Sequence, residues 1–218
     1  LVNTHWRETN AIMLKNRRIG LSQSGVVQAF NKIGKRALLQ WCDQSYEHVK
    51  ELDKEYSDWL CIPRSVRMTS IKPSGTVSLL NGSTPGIHFP ENEYYIRRIR
   101  FSKTSDLIPT LREAGYKIEE DKYSPNTLCV EFPIKEPYFV KSKKDVSLWE
   151  QLEIAAQYHH YWADNSVSVT VTFKPEEAKQ IKDALEMYET RLKAVSFLKY
   201  EETGYEQAPY EPITEKQY

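Results

Sequence analysis

Residues 166–173 constrain the fold more than any other segment, because their side chains alternate strictly between two kinds. The order is Ser-Val-Ser-Val-Thr-Val-Thr-Phe. A period of two places the hydroxyl groups on one face of a β-strand and the apolar groups on the other. Helical patterns flank this strand: Ser147 and Glu150 form a capping box at the start of one, and Pro175 occupies the first position of the next. Helix, strand and helix in this order predict an α/β fold.

A long helix is predicted over residues 26–60, because apolar or small residues recur there every three or four positions. This stripe consists of Leu38, Cys42, Ser45, Val49, Leu52, Tyr56 and Trp59, and Pro63 ends the pattern. Shorter helices are predicted at residues 4–15 and 106–114, the second followed by Gly115. The predicted strands are a buried one within residues 18–25, and others at 66–71, 94–101 and 127–132.

Composition excludes several classes of function. Thirty basic and thirty acidic residues cancel, so nucleic-acid binding has no overall electrostatic support. No apolar run is long enough for a membrane span, and no signal-peptide pattern opens the chain. Cys42, Cys61 and Cys129 are well separated, which favours reduced thiols in a cytoplasmic protein over a disulfide framework or a zinc site.

The loop over residues 71–88 carries the strongest functional signal. Pro73, Ser74, Gly75, Thr76, Val77 and Ser78 combine a glycine with three hydroxyl groups, and a second glycine-proline segment follows at once. A glycine permits close approach of an anion to backbone N–H groups, and hydroxyls add donors. The Gly-Lys-Ser/Thr ending of a P-loop is absent. An ordinary turn has the same composition.

Three motifs together resemble ribonucleotide reductases, and most closely the monomeric, adenosylcobalamin-dependent ribonucleoside-triphosphate reductases. The first is Arg-Arg-Ile-Gly-Leu-Ser-x-Ser-Gly at residues 17–25. The second is Pro-Ser-Gly-Thr-Val-Ser with Ser-Thr-Pro-Gly-Ile-His, similar to the substrate-phosphate loop of the family. The third, residues 161–171, is similar to the last barrel strand of the cobalamin-dependent reductases. The resemblance implies that residues 1–200 form the C-terminal part of a ten-stranded α/β barrel, and that residues 201–218 form a polar tail or linker.

The resemblance also implies an activity. The family reduces ribonucleotides to deoxyribonucleotides with a thiyl radical that adenosylcobalamin generates, and thioredoxin or another dithiol supplies the electrons. The radical cysteine of the family lies in an Asn-x-Cys-x-Glu loop that does not occur here. We therefore assign no catalytic residue, expect a fragment cut at both ends, and expect the isolated chain to be inactive.

Several residues outside the loop are further candidates for the site. If the valines of residues 166–173 pack on helices, then Ser166, Ser168, Thr170 and Thr172 line the barrel interior. Of these, Ser168 and Thr170 are candidate site residues, and His88 is a third candidate. His88 as an ordinary loop histidine is the competing interpretation. His159 and His160 are adjacent on a helix and cannot share a metal. Two interpretations are open for the strand arginines Arg97, Arg98 and Arg100: they neutralise a phosphate, or they belong to a charged surface strand. Residues 119–121 are interpreted as a solvated acidic cluster.

Two alternatives to the reductase fragment remain open from the residues alone. One is a nucleotide- or phosphate-binding α/β module without radical chemistry. The other is a structural domain whose loop binds nothing. Titration with a nucleoside triphosphate separates these two.

Overall fold

A computed structural model describes residues 4–75, 77–201 and 205–218 of the chain. The helices are α1 (Arg7–Asn16), α2 (Val26–Ile33), α3 (Lys35–Trp59), α4 (Val77–Leu80), α5 (Leu107–Glu113), α6 (Leu148–Tyr161) and α7 (Ile181–Tyr188). The strands are β1 (Tyr94–Ser102), β2 (Ile118–Glu120), β3 (Thr127–Lys135), β4 (Thr170–Phe173), β5 (Ser196–Lys199) and β6 (Tyr210–Pro212). Short 3₁₀ helices cover Lys143–Asp145 and Pro175–Gln180. Within the described residues no helix is long and apolar enough to cross a membrane.

The chain divides into two compact units. The parallel unit comprises Leu1–His88 and Val146–Lys199, and the hairpin unit comprises Phe89–Asp145 and Tyr200–Tyr218. The prediction divided the chain at residue 200. In the structure, residues 89–145 belong to the same unit as the end of the chain, and that end is not a loose tail. Instead β6 pairs antiparallel with β1, with Arg97 opposite Tyr210.

Extended segments in the parallel unit run side by side in one direction. Parallel bridges join Leu21 to Thr69 and Ile71 to Val167, and β4 pairs parallel with β5. Helices connect these segments, since parallel neighbours need a crossover. The α/β class predicted from the sequence is confirmed.

The core of the parallel unit lies between the segment ending in β4 and helix α6. Val167, Val169 and Val171 are all buried, as predicted for the apolar face. Ser147 caps α6 as predicted, its Oγ accepting a hydrogen bond from the Glu150 N–H at 3.2 Å. Thr172 departs from the simple alternation: it is buried, and its N–H donates to Gln151 Oε1 of α6 at 2.9 Å. A helix amide therefore satisfies the polar groups on that side of the strand.

Two predictions about the first sixty residues are wrong in detail. The long helix is interrupted at Gly34, whose φ of 86° is incompatible with a continuous α-helix, so α2 and α3 are separate. In the last turns of α3, Tyr56 and Trp59 are exposed and Ser57 is buried instead. The strand near Leu21 is exposed rather than buried, because among the described residues it pairs with a neighbour on one side only.

The hairpin unit is a four-stranded antiparallel sheet in the order β2-β3-β1-β6. Strand β3 is longer than predicted and continues through Pro133, which lies opposite Ile96. Ile108 of α5 packs with Leu128 and Val130 of β3 to form the core. Asp121 corrects the interpretation of residues 119–121 as a solvated cluster, because it is buried and paired with Arg100.

Candidate functional site

Three loops of the parallel unit meet beside the strand ends. The first loop (residues 22–25) follows the segment that bridges at Leu21, and the phosphate loop (residues 72–78) follows the segment that bridges at Ile71. The glycine-proline loop (residues 83–88) comes shortly afterwards. Carboxyl ends of parallel strands share one edge, and ligand sites of α/β proteins commonly lie there. The first two motifs are therefore brought together by the fold.

Serine hydroxyls connect the first loop to the phosphate loop. The Lys72 N–H donates to Ser22 Oγ at 2.9 Å, and the hydroxyls of Ser24 and Ser74 are hydrogen-bonded at 2.8 Å. Ser74 adopts a positive φ of 35°, a conformation uncommon outside glycine. Neutral hydroxyls and main-chain groups thus set the shape of this junction.

The structure gives the six predicted phosphate-loop residues different environments. Pro73 and Val77 are exposed, and Ser74 and Gly75 are half-buried. Ser78 is buried, and its hydroxyl and its N–H both donate to the Ser74 carbonyl, at 2.8 and 3.0 Å. Ser78 therefore closes the loop and does not present a free hydroxyl. Thr76 lies outside the described residues.

The glycines of the three loops are constrained differently. A Cβ added at Gly75 would meet no atom within 4 Å. At Gly86, which has a φ of 53°, a Cβ would lie 2.6 Å from the Lys72 carbonyl oxygen. Of these two positions, only Gly86 requires glycine for packing. Gly25 of the first loop is also constrained, with a φ of 72° and a built Cβ 2.9 Å from Gln28 Oε1. Sequence reasoning emphasised Gly75 and missed Gly86, although the Pro-Gly-Ile-His motif contained it.

The glycine-proline loop is fastened to the start of α2. The Gly25 N–H donates to the Thr84 carbonyl at 2.8 Å, and the Val26 N–H donates to the Gly86 carbonyl at 3.3 Å. Gln28 adds two side-chain bonds, accepting from the Thr84 N–H at 3.2 Å and donating to the Gly82 carbonyl at 3.0 Å. The glycine-proline loop is therefore held by the helix that leaves the first loop.

His88 joins this loop to the alternating strand segment. The Thr170 N–H donates to Nε2 at 3.1 Å, so Nε2 acts as the acceptor. Nδ1 then carries the proton and donates to the Pro85 carbonyl at 3.0 Å. Both ring nitrogens are committed to backbone groups, which makes His88 a structural clamp in this conformation. Sequence reasoning placed His88 near the loop, but the pairing with Thr170 spans 82 residues and had no local signal.

The other two candidates for the barrel interior lie on the same segment. Ser168 donates its N–H to the Ile71 carbonyl at 2.9 Å, directly before the phosphate loop. Thr170 is exposed. The fold thus brings His88, Ser168 and Thr170 close to the phosphate loop, and their orientation toward a barrel interior stays a prediction.

The charge around these loops suits an anion. Residues 71–90 contain no aspartate or glutamate, and Lys72 is their one lysine or arginine. Residues 19–34 also contain no acidic residue. A phosphate placed beside these loops would meet no repulsion from a carboxylate of either segment.

The arginines of β1 have other partners. Arg98 is paired with Glu131 at 2.8 Å and also with Glu211, and Arg100 is paired with Asp121. Arg97 stacks on Tyr210, with 4.4 Å between the guanidinium and the ring centre. These contacts lie within the hairpin unit and favour the structural interpretation of the three arginines.

The cysteines show no sign of a reactive centre. Cys42 and Cys129 are buried, and burial raises the pKa of both thiols, which disfavours the nucleophilic thiolate. Cys61 is exposed just beyond the end of α3. In the part of the chain that the structure describes, no group of three or more His, Cys, Asp or Glu side chains could hold a metal ion.

Comparisons with known proteins point to one group. No family model matches the chain. A probable adenosylcobalamin-dependent ribonucleoside-triphosphate reductase of Dictyostelium discoideum is 48% identical over 222 residues, covering 100% of this chain and 29% of the relative. The adenosylcobalamin-dependent ribonucleoside-triphosphate reductase of Euglena gracilis is 45% identical, covering 100% of this chain and 30% of the relative. A crystal structure of a B12-dependent (class II) ribonucleotide reductase matches with a TM-score of 0.85 and 36% identity, covering 97% of this chain and 34% of that one.

These likenesses define the class: the chain is homologous to B12-dependent, class II ribonucleotide reductases. Within that class, its relatives are the adenosylcobalamin-dependent ribonucleoside-triphosphate reductases, which confirms the resemblance inferred from the three motifs. The chain spans about a third of the length of the relatives it matches.

Proposed function

We propose that this chain is part of an adenosylcobalamin-dependent ribonucleoside-triphosphate reductase and supplies the loop that binds the phosphates of the substrate. The intact enzyme converts ribonucleoside triphosphates to 2′-deoxyribonucleoside triphosphates. The observation that carries the assignment of the loop is its position: it lies where parallel segments end, a Cβ built at Gly75 would meet no atom within 4 Å, and no acidic residue occurs in residues 71–90. A backbone that an anion can approach closely, without a carboxylate beside it in the sequence, suits a phosphate group.

The chemistry of the reaction comes from outside the described residues. Radical formation is supplied by adenosylcobalamin when it is bound. No described residue is assigned to the cofactor, so its place in the proposal rests on the names of the relatives. The contribution of this chain is to hold the triphosphate and to fix the loops around it.

The partners follow from the same proposal. The substrate is a ribonucleoside triphosphate, and thioredoxin or another dithiol reductant acts through a segment not included in this chain. The equal numbers of basic and acidic residues support no nucleic-acid partner and no anionic membrane surface. The unpaired, separated cysteines support a cytoplasmic location.

The test is Gly75→Val in the intact reductase. Because a Cβ built at Gly75 would meet no atom within 4 Å apart from its chain neighbours, the valine should be accommodated in the fold and should crowd the bound phosphate instead. We expect KM for the ribonucleoside triphosphate to rise about tenfold or more. Adenosylcobalamin binding and the unfolding temperature should stay nearly unchanged.

Two comparisons sharpen this experiment. Gly75→Ala, with a smaller side chain, should give a weaker effect in the same direction. The unphosphorylated nucleoside, tested as a competitive inhibitor, should bind Gly75→Val and the parent enzyme equally well. Equal losses for nucleoside, triphosphate and cobalamin would show general disruption, and an unchanged KM would show that phosphates bind elsewhere.

The competing function is a phosphate-binding module without radical chemistry, which the reductase relatives do not favour. Assay of the isolated 218 residues with adenosylcobalamin, nucleoside triphosphate and a dithiol should yield no deoxynucleotide. The intact protein should be active under the same conditions. An intact protein that binds triphosphate but never reduces it would favour the module.

A further inference from the structure

The buried thiol of Cys42, in helix α3, contacts the side chain of Gln23 in the first loop. Cys42 Sγ lies 3.6 Å from Gln23 Oε1 and 3.7 Å from the Tyr158 hydroxyl of α6. Cys42 is 2% exposed, and Tyr158 is fully buried. Sulfur hydrogen bonds are longer than those between oxygen atoms, so both separations are contacts.

The chemistry of this trio is that of neutral hydrogen bonds. Burial raises the pKa of the Cys42 thiol and also that of Tyr158, so both groups keep their protons at neutral pH. A thiol has one proton, and its sulfur can accept a second bond. Tyr158 is itself fixed, because its ring packs edge-on against Phe30 with 6.2 Å between ring centres. The two helices therefore offer a rigid support to the Gln23 side chain.

Gln23 connects that support to the candidate site. It stands between Ser22, whose hydroxyl accepts from the Lys72 N–H, and Ser24, whose hydroxyl is bonded to that of Ser74. Movement of Gln23 would displace both serines, and they are the contacts that join the first loop to the phosphate loop. The path from the thiol to the phosphate loop is thus a continuous series of named contacts.

We propose that Cys42, supported by Tyr158, is a positioning residue that holds Gln23 and thereby keeps Ser22 and Ser24 against the phosphate loop. This inference rests on the proposed function, since it assigns the positioned loop to substrate phosphates. It gives a buried cysteine a role in substrate affinity that needs neither a thiolate nor a disulfide.

A double-mutant cycle in the intact reductase tests it. Cys42→Val and Gln23→Met each replace one hydrogen-bonding partner by an apolar side chain, and each should raise KM for ribonucleoside triphosphate about threefold to fivefold with kcat nearly unchanged. The double variant should be no worse than either single variant, because both break the same contact. Cys42→Ser, which restores a donor, should recover part of the affinity.

The matched control is Cys129→Val, a buried thiol of β3 in the hairpin unit. It should leave KM unchanged, whatever it costs in stability. If Cys42→Val lowers the unfolding temperature but leaves KM at the parent value, Cys42 is only a packing residue and the inference is overturned. Additive effects of Cys42→Val and Gln23→Met would overturn it as well.

Hydrogen–deuterium exchange of the intact protein separates this inference from the proposed function. Cys42→Val should speed exchange in peptides covering residues 20–28 and 70–80, with α3 itself protected as before. If exchange is faster in Cys42→Val but KM is unchanged in Gly75→Val, the positioning role of Cys42 is supported and phosphate binding by the loop is rejected. If exchange is unchanged in Cys42→Val but KM is raised in Gly75→Val, the positioning role of Cys42 is rejected and phosphate binding by the loop is supported.

Discussion

The candidate site and the hairpin unit are stabilised by different kinds of contact. Around the three loops, the contacts are single bonds among hydroxyls, amides and main-chain groups, such as Ser24 with Ser74 and Thr170 with His88. In the hairpin unit, charged pairs such as Arg98 with Glu131 connect the strands. Paired arginines have their donors and charge already engaged, whereas uncharged loops leave room for an anion's charge. The comparison indicates that a phosphate site need not be the region richest in arginine.

The largest effect that would sharpen this comparison is expected from Gly86→Ala. The new Cβ would lie 2.6 Å from the Lys72 carbonyl oxygen at a φ of 53°, so both packing and backbone conformation oppose it. We expect a loss of about 3 kcal/mol in the free energy of unfolding, measured by denaturant titration. Gly75→Ala is the control and should cost less than about 0.5 kcal/mol. Equal losses at the two glycines would contradict the distinction drawn between them.

A smaller loss of stability is expected from Arg98→Met, in the charged contacts of the hairpin unit. The side chain of Arg98 is 10% exposed and pairs with Glu131 and Glu211, so its removal leaves a poorly exposed carboxylate with less compensation. Stability should fall by about 2 kcal/mol. KM for the nucleoside triphosphate should not change, because the arginine neutralises glutamates and not substrate. A rise in KM without loss of stability would return the β1 arginines to the list of phosphate ligands.

The smallest effect on stability is expected from Thr170→Val. Valine keeps the shape and the N–H that donates to His88, and the lost hydroxyl is exposed. Unfolding should change by less than about 1.5 kcal/mol, while turnover of the intact enzyme should change more. Thr172→Val is the control: its buried hydroxyl bonds to Gln151 at 3.2 Å, so it should lose stability and leave turnover alone. The reverse result would place Thr170 away from the reacting substrate.

Much of the local structure could be predicted from the sequence, because neighbouring residues determine helix caps and the faces of strands. The cap at Ser147, the helix over residues 148–161 and the apolar face of the valines are encoded by patterns within a few residues. The same reasoning failed at Gly34, because the apolar stripe continues past a glycine whose conformation breaks the helix. It also failed for the end of the chain, whose polar composition resembles a tail but whose backbone completes the sheet with β1.

By itself, the sequence determined the α/β class, the relationship indicated by three motifs, and the absence of acidic residues from residues 19–34 and 71–90. Only the tertiary structure decided that the first loop bonds to the phosphate loop, that His88 is a clamp, and that Gly86 is constrained where Gly75 is not. The physical reason is the distance along the sequence between the groups that interact. Helix caps and strand faces follow from neighbouring residues, whereas the bonds of the site join groups about 50 to 80 residues apart. Those bonds form only when the crossovers bring the strand ends to one edge.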